Sequence, residues 1–119
     1  MKRILYADDE PLYHHLFQIR LAPILPGAVT DFVNDGQALL NKFLRFQYDL
    51  IFTDYRMAEM DGLRATTEIR RRDEVIPVYV VSDTNVKSEA LLARATGFLD
   101  KSQSTYYDKL SRVVLEHLR

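Results

Sequence analysis

Three acids and a lysine in this 119-residue chain are spaced so that together they could take up a phosphoryl group. Asp54 ends the run Asp49-Leu50-Ile51-Phe52-Thr53-Asp54, Asp8 and Asp9 follow Lys2-Arg3-Ile4-Leu5-Tyr6-Ala7, and Lys101 follows Gly97-Phe98-Leu99-Asp100. A carboxylate beside a cation site and an ammonium can act as a nucleophile toward phosphorus. Crowded carboxylates repel, and some shift upward in pKa unless a cation joins them. Mg²⁺ meets that need, because it takes hard oxygen ligands, keeps several waters and bridges to phosphate. Taken singly, each residue also has a plainer role. Asp8 and Asp9 suit the start of a helix opened by Pro11. Asp54 and Lys101 suit strand ends, and Ser82 suits a helix cap.

Gathering these groups requires particular elements. Apolar runs of strand length at 2–7, 28–33, 49–53, 77–81 and 97–100 alternate with helical patterns at 11–21, 36–46, 62–72, 86–95 and 104–118. Leu39, Leu40, Phe43 and Leu44 recur at helical spacing, as do Leu110, Val113, Val114 and Leu118. Pro77-Val78-Tyr79-Val80-Val81 is apolar throughout, as expected of a strand covered on both faces. Five β-then-α units predict an α/β, flavodoxin-like three-layer sandwich with a parallel sheet in the order 2-1-3-4-5. Ligands bind outside the carboxyl ends of such strands, at the switch point between the first and third. Those two strands carry the acids, and Asp61 is placed to cap the third helix.

Length and composition agree with one domain over residues 1–119 and one core. There is no cysteine, so thiolate–zinc sites and cysteine nucleophiles are excluded. A net charge of −1 argues against a nucleic-acid surface. No run reaches the length of a membrane span, and Met1-Lys2-Arg3 with a few apolar residues is too short for a signal peptide, so a cytoplasmic protein is expected.

The ordered set Asp8-Asp9, Asp54, Met57, Met60-Asp61-Gly62, Ser82, Phe98 and Lys101 resembles the receiver domain of two-component response regulators, over nearly the whole chain. The resemblance implies that Asp54 accepts a phosphoryl group from the phosphohistidine of a histidine kinase or a phosphotransfer protein. It implies Mg²⁺ bound directly by Asp9, Asp54 and the main-chain carbonyl of Arg56, with Asp8 acting mainly through a metal-bound water. Lys101 would pair with the phosphoryl oxygens, and Ser82 would hydrogen-bond one of them in the active state. Phe98 stands at the place of an aromatic switch residue. The surface switched would be the fourth helix, fifth strand and fifth helix, facing a downstream protein target, a fused effector domain or a second copy of the chain. Tyr106 and Tyr107, opening the fifth helix, would offer that face an exposed aromatic.

Four residues depart from the family pattern. Asp83 follows Ser82 where a small residue is usual. Facing a phosphoryl group at roughly 4 Å it would cost about 4 kcal/mol, whereas pointing away it would help cap the fourth helix. Ser102 replaces the proline after the lysine, whose peptide bond is usually cis. Since a cis bond before a non-proline costs about 3 kcal/mol, Lys101–Ser102 is expected to be trans or to carry that cost. Ala58 replaces a proline after the acceptor. Arg94 replaces a glycine, in a segment short enough to shrink the fourth helix. Asp83 and Ser102 keep open a second function, a pseudo-receiver that binds partners without being phosphorylated. A small Mg²⁺-dependent phosphatase with an aspartyl nucleophile is a third. His14 and His15 point about 100° apart on a helix and do not suit one metal. Arg70-Arg71-Arg72 suits the end of the third helix.

Overall fold

A computed structural model describes residues 1–119. Five strands, β1 (Arg3–Ala7), β2 (Val29–Val33), β3 (Leu50–Asp54), β4 (Val78–Ser82) and β5 (Gly97–Asp100), form one sheet in the order β2-β1-β3-β4-β5. Every pairing is parallel. The helices are α1 (Pro11–Leu21), α2 (Gly36–Arg45), α3 (Gly62–Arg70), α4 (Lys87–Leu92) and α5 (Tyr106–Leu118). The flavodoxin-like architecture read from the sequence is the one observed.

Alternation along each strand sorts its side chains between two helical layers. Ile4, Tyr6, Leu50, Phe52 and Leu99 face α1 and α5, where they meet Phe17, Tyr106, Leu110 and Val114. Leu5, Ala7, Ile51 and Val78 face α2 and α3, against Leu39, Ala65 and Ile69. The small Ala65 and Thr66 are both fully buried, and the Thr66 hydroxyl donates to the Gly62 carbonyl at 2.7 Å. These short side chains therefore let α3 pack closely on the sheet.

Several boundaries moved, each for a local reason. β3 extends through Asp54, which pairs opposite Val81, so the sheet ladder itself fixes that residue. Asp61 caps α3 as expected, accepting the Arg64 N–H at 2.8 Å. Asp83 does not cap α4. It is exposed and unpaired, while the helix starts after Val86 with the Asn85 side chain accepting the Lys87 N–H. The Arg70 side chain is not a solvated charge at the end of α3 but is buried, at 5% exposure.

Arg94 ends α4 with φ 67°, the left-handed conformation that favours glycine. Its N–H bonds the Leu91 carbonyl and the Ala95 N–H bonds the Ala90 carbonyl, the two bonds of a Schellman cap. Helix α4 is held to six residues by that stop. Arg94→Gly is expected to stabilise the protein by about 0.7 kcal/mol. Relief of roughly 1.5 kcal/mol of left-handed strain outweighs roughly 0.8 kcal/mol of added unfolded-state entropy. The effect would appear as a higher urea midpoint with an unchanged slope.

Candidate functional site

The same alternation assembles the site. Asp8, Asp54 and Lys101 each continue the parity of Tyr6, Phe52 and Leu99, so they extend the α1/α5 side of the sheet at the carboxyl ends of β1, β3 and β5. Lys101 Nζ donates to Asp8 Oδ2 at 3.0 Å and to Asp54 Oδ2 at 3.1 Å, with its side chain 4% exposed. The Lys101–Ser102 peptide is trans. Lys101 nonetheless reaches both acids, because its own N–H bonds the Ser82 carbonyl at 2.9 Å and prolongs the β4–β5 ladder. Ser102 then closes a turn on Asp100, whose carboxylate accepts both its N–H at 2.9 Å and its hydroxyl at 2.6 Å.

The acids are held differently. Asp8 is fully buried, and its other oxygen accepts the Glu10 N–H at 3.0 Å, so it orders the turn into α1 without capping the helix. Asp9 is exposed and has neither a hydrogen bond nor an ion pair. Asp54 is 8% exposed, and its Oδ1 accepts the Tyr55 N–H at 2.7 Å. Carboxylate oxygens of Asp8, Asp9 and Asp54 all lie within 4.8 Å of one another. Burial pushes the Asp54 carboxyl up to about 6; the Lys101 ammonium opposes the rise and the Asp8 carboxylate adds to it. Burial alone would lower the Lys101 ammonium, but Asp54 and Asp8 outweigh it and hold the group above its ordinary value.

These groups fit a hard divalent cation such as Mg²⁺. The donors are all oxygen, they gather excess negative charge, and Asp9 offers a free carboxylate. Arg56, two residues beyond Asp54, has a carbonyl that accepts no hydrogen bond, while its guanidinium lies over the Tyr55 ring at 5.5 Å. The loop turns sharply at Glu59, φ 67°, in the absence of a proline at Ala58. It then enters α3 at Gly62, whose N–H bonds the Tyr55 carbonyl. A Cβ at Gly62 would lie 1.9 Å from the Asp54 carbonyl oxygen, so only glycine lets α3 start directly behind the acid.

Ser82 has the opposite parity to Lys101 and Asp54. Its hydroxyl, 2% exposed as a residue, accepts the Thr84 N–H at 3.0 Å and shapes the loop into α4. Phe98 is half-buried against Val80, Val86, Ala90 and Ala95, and lines a cavity of about 240 Å³ between β5 and the starts of α4 and α5. Two aromatic contacts with the site were not foreseen from the sequence. His14 Nε2 donates to the Asp8 carbonyl at 2.7 Å and stacks on Phe32. Tyr13 lays its ring against the Lys101 ammonium, 3.9 Å from Nζ to the centroid. The faint signal for both was their position on the first turn after Pro11. Tyr106 and Tyr107 are not exposed on the α4–β5–α5 face. Tyr106 is buried with its hydroxyl 3.5 Å from that of Tyr6, and Tyr107 is half-buried under Arg20. Leu91 and Leu92 are the exposed apolar residues of α4.

Known proteins align with this arrangement. The response regulator protein TrrA of Thermotoga maritima, solved in complex with Mg²⁺–BeF, superposes with a TM-score of 0.86 at 30% identity, over 99% of this chain and 100% of that one. TrrA bound to the histidine kinase ThkA gives 0.83 at 28% identity, over the whole of both chains. The regulatory protein AtoC of Escherichia coli K12 is 31% identical over 100 residues, which is 84% of this chain but 21% of AtoC. The chain thus spans about a fifth of that relative. The profile of the response regulator receiver domain matches residues 4–109, and the chain belongs to that family.

Proposed function

We propose that residues 1–119 form a single receiver domain in which Asp54 takes a phosphoryl group from a phosphohistidine and so switches a protein-binding surface. The observation that carries this reading is Asp54 itself: a strand-end carboxylate gathered with Asp8 and Asp9 and bonded by Lys101 at 3.1 Å. Asp9, Asp54 and the Arg56 carbonyl would hold Mg²⁺, with Asp8 acting through a water. When bound, the metal neutralises charge on the phosphoryl oxygens. An Asp54 oxygen forms the new P–O bond as the P–N bond breaks, and the electron pair returns to the departing imidazole. Lys101 stabilises the charge spread over the transferring oxygens. Ser82 turns its hydroxyl to one of them and draws the loop before α4 with it, and Phe98 follows into the space left.

TrrA supplies the chemistry of the partner, since it is bound by a histidine kinase in one structure and by Mg²⁺–BeF in the other. A histidine kinase or phosphotransfer protein would act upstream of this chain, in the cytoplasm. A separate target or a fused effector would respond downstream through α4, β5 and α5, which a second copy could also use. On this reading the chain is a signalling switch and not a metabolic enzyme. No helix is long and apolar enough to cross a membrane. Neither departure favours the unphosphorylated module, because Asp83 is exposed and unpaired and Lys101 keeps its place.

Incubation with Mg²⁺ and a small phosphodonor, followed by intact mass, tests the proposal. A single phosphoryl adduct is expected in the wild type and none in Asp54→Asn. Absence of the adduct from the wild type would overturn the reading.

A further inference from the structure

We infer that Tyr13 is a positioning residue for the Lys101 ammonium, its ring face fixing that charge between Asp8 and Asp54. The inference rests on the role given to Lys101 above, and it begins from a count of donors. An ammonium has three N–H groups. Two go to Asp8 Oδ2 and Asp54 Oδ2, and Lys101 makes no other side-chain hydrogen bond. At 4% exposure the third has little water to turn to. The Tyr13 ring stands there, with its centroid 3.9 Å from Nζ. A desolvated cation over an aromatic face is the strongest form of that interaction.

The ring is itself well placed to hold a position. Tyr13 lies on the first turn of α1, its N–H bonds the Glu10 carbonyl at 3.1 Å, and it packs against the cluster that contains Tyr6, Phe17 and Tyr106. The main chain fixes only the Cα of Lys101, through the bond to Ser82, and leaves four methylenes between that anchor and the charge. The two carboxylates restrain the ammonium, but they are the same oxygens a metal or a phosphoryl group would claim. Once those oxygens are engaged, the ammonium exchanges carboxylate partners for phosphoryl oxygens, and the ring is the one contact common to both arrangements. Tyr13 therefore serves both states, whereas each carboxylate contact serves one.

Two substitutions separate this role from simple packing. Tyr13→Leu fills space without a π face, and Tyr13→Phe keeps the face without the hydroxyl. Three readouts apply to each: the Lys101 Cε proton shifts in metal-free protein, the Mg²⁺ dissociation constant by calorimetry, and the phosphorylation rate at saturating phosphodonor. The wild type should show upfield Cε protons from the ring current. Tyr13→Leu should lose that displacement and slow the maximal rate about tenfold, with little change in the donor concentration at half-rate. It should also bind Mg²⁺ about threefold more tightly, because a looser ammonium competes less for Asp8 and Asp54. Tyr13→Phe should restore all three. General damage to the site would instead weaken Mg²⁺ binding. Wild-type shifts, metal affinity or rate in Tyr13→Leu would overturn the inference, as would Tyr13→Phe behaving like Tyr13→Leu. If the wild type takes no phosphoryl group, the function proposed for Asp54 fails, while the proton shifts and metal binding still decide the role of Tyr13.

Discussion

Lys101→Met is expected to cost the metal-free protein about 3 kcal/mol of stability at pH 8, because removing one partner of a buried ion pair strands the other. Here two acids are stranded, Asp8 with no exposed surface and Asp54 with a side chain 12% exposed. The pH dependence has a definite sign. In the wild type the Asp54 carboxyl is raised from 3.8 to about 6, so the native state holds its proton more tightly than the unfolded chain does. Its contribution to stability is full below about pH 4 and is lost as pH rises through about 6. Without the ammonium the influence that lowers this value is gone, so the loss continues to higher pH. The deficit of Lys101→Met should thus be smaller at pH 5 than at pH 8. Mg²⁺ should return most of it, since a cation that binds only the folded acids stabilises by mass action. Urea unfolding at both pH values, with chelator and with Mg²⁺, measures each part. Phosphorylation should fall about a hundredfold, as for removal of one preorganised charge-stabilising donor. A variant as stable as the wild type at pH 8 with chelator would show that the acids do not depend on the lysine.

Arg70→Met should cost a similar amount, about 3 kcal/mol, at the opposite end of the sheet. The Arg70 guanidinium donates to the carbonyls of Arg94 at 2.7 Å, Ile76 at 2.7 Å and Asp73 at 3.2 Å, and to the Thr96 hydroxyl at 3.3 Å. It ties the end of α3 to the segments entering β4 and β5. Methionine fills much of the volume but supplies no donor, so acceptors are left unpaired in the interior. Arg70→Lys should rescue little, because a point charge cannot span acceptors arranged for a planar fork. Urea unfolding gives the loss, and the Mg²⁺ affinity of the folded protein should stay at the wild-type value because the acids lie at the other edge.

Features set by local chemistry were legible in the sequence. Apolar runs ending in acids marked β1 and β3, Pro11 marked the start of α1, and Asp61 marked the cap of α3. The strand order then placed Lys101 beside acids far away in the chain. Features set by a distant partner were not legible. Arg70 reads as a helix-end charge until β5 brings the Arg94 carbonyl and Thr96 to it. Tyr13 carries no local sign of a partner, and its contact exists only once Lys101 arrives across the sheet. Asp83 has the chemistry of a cap, but the chain takes three more residues to reach Val86, where α4 begins. Tyr106 carries the hydroxyl of an interface residue, and that hydroxyl faces Tyr6 in the interior.

The contacts of Lys101 have a consequence for how the chain acquires its structure. The lysine is 93 residues from Asp8 and 47 from Asp54 in sequence. During synthesis both acids leave the ribosome well before their countercharge. Until β5 docks, the sheet edge holds carboxylates that repel one another and gain nothing from being gathered. Closing so long a loop is slow, and its reward comes only at the final pairing. The ammonium therefore acts as a latch on folding, in addition to the role proposed for it in phosphoryl transfer. A chain cut short before residue 101 would lack both, and the acid cluster would form only in molecules whose sheet is complete.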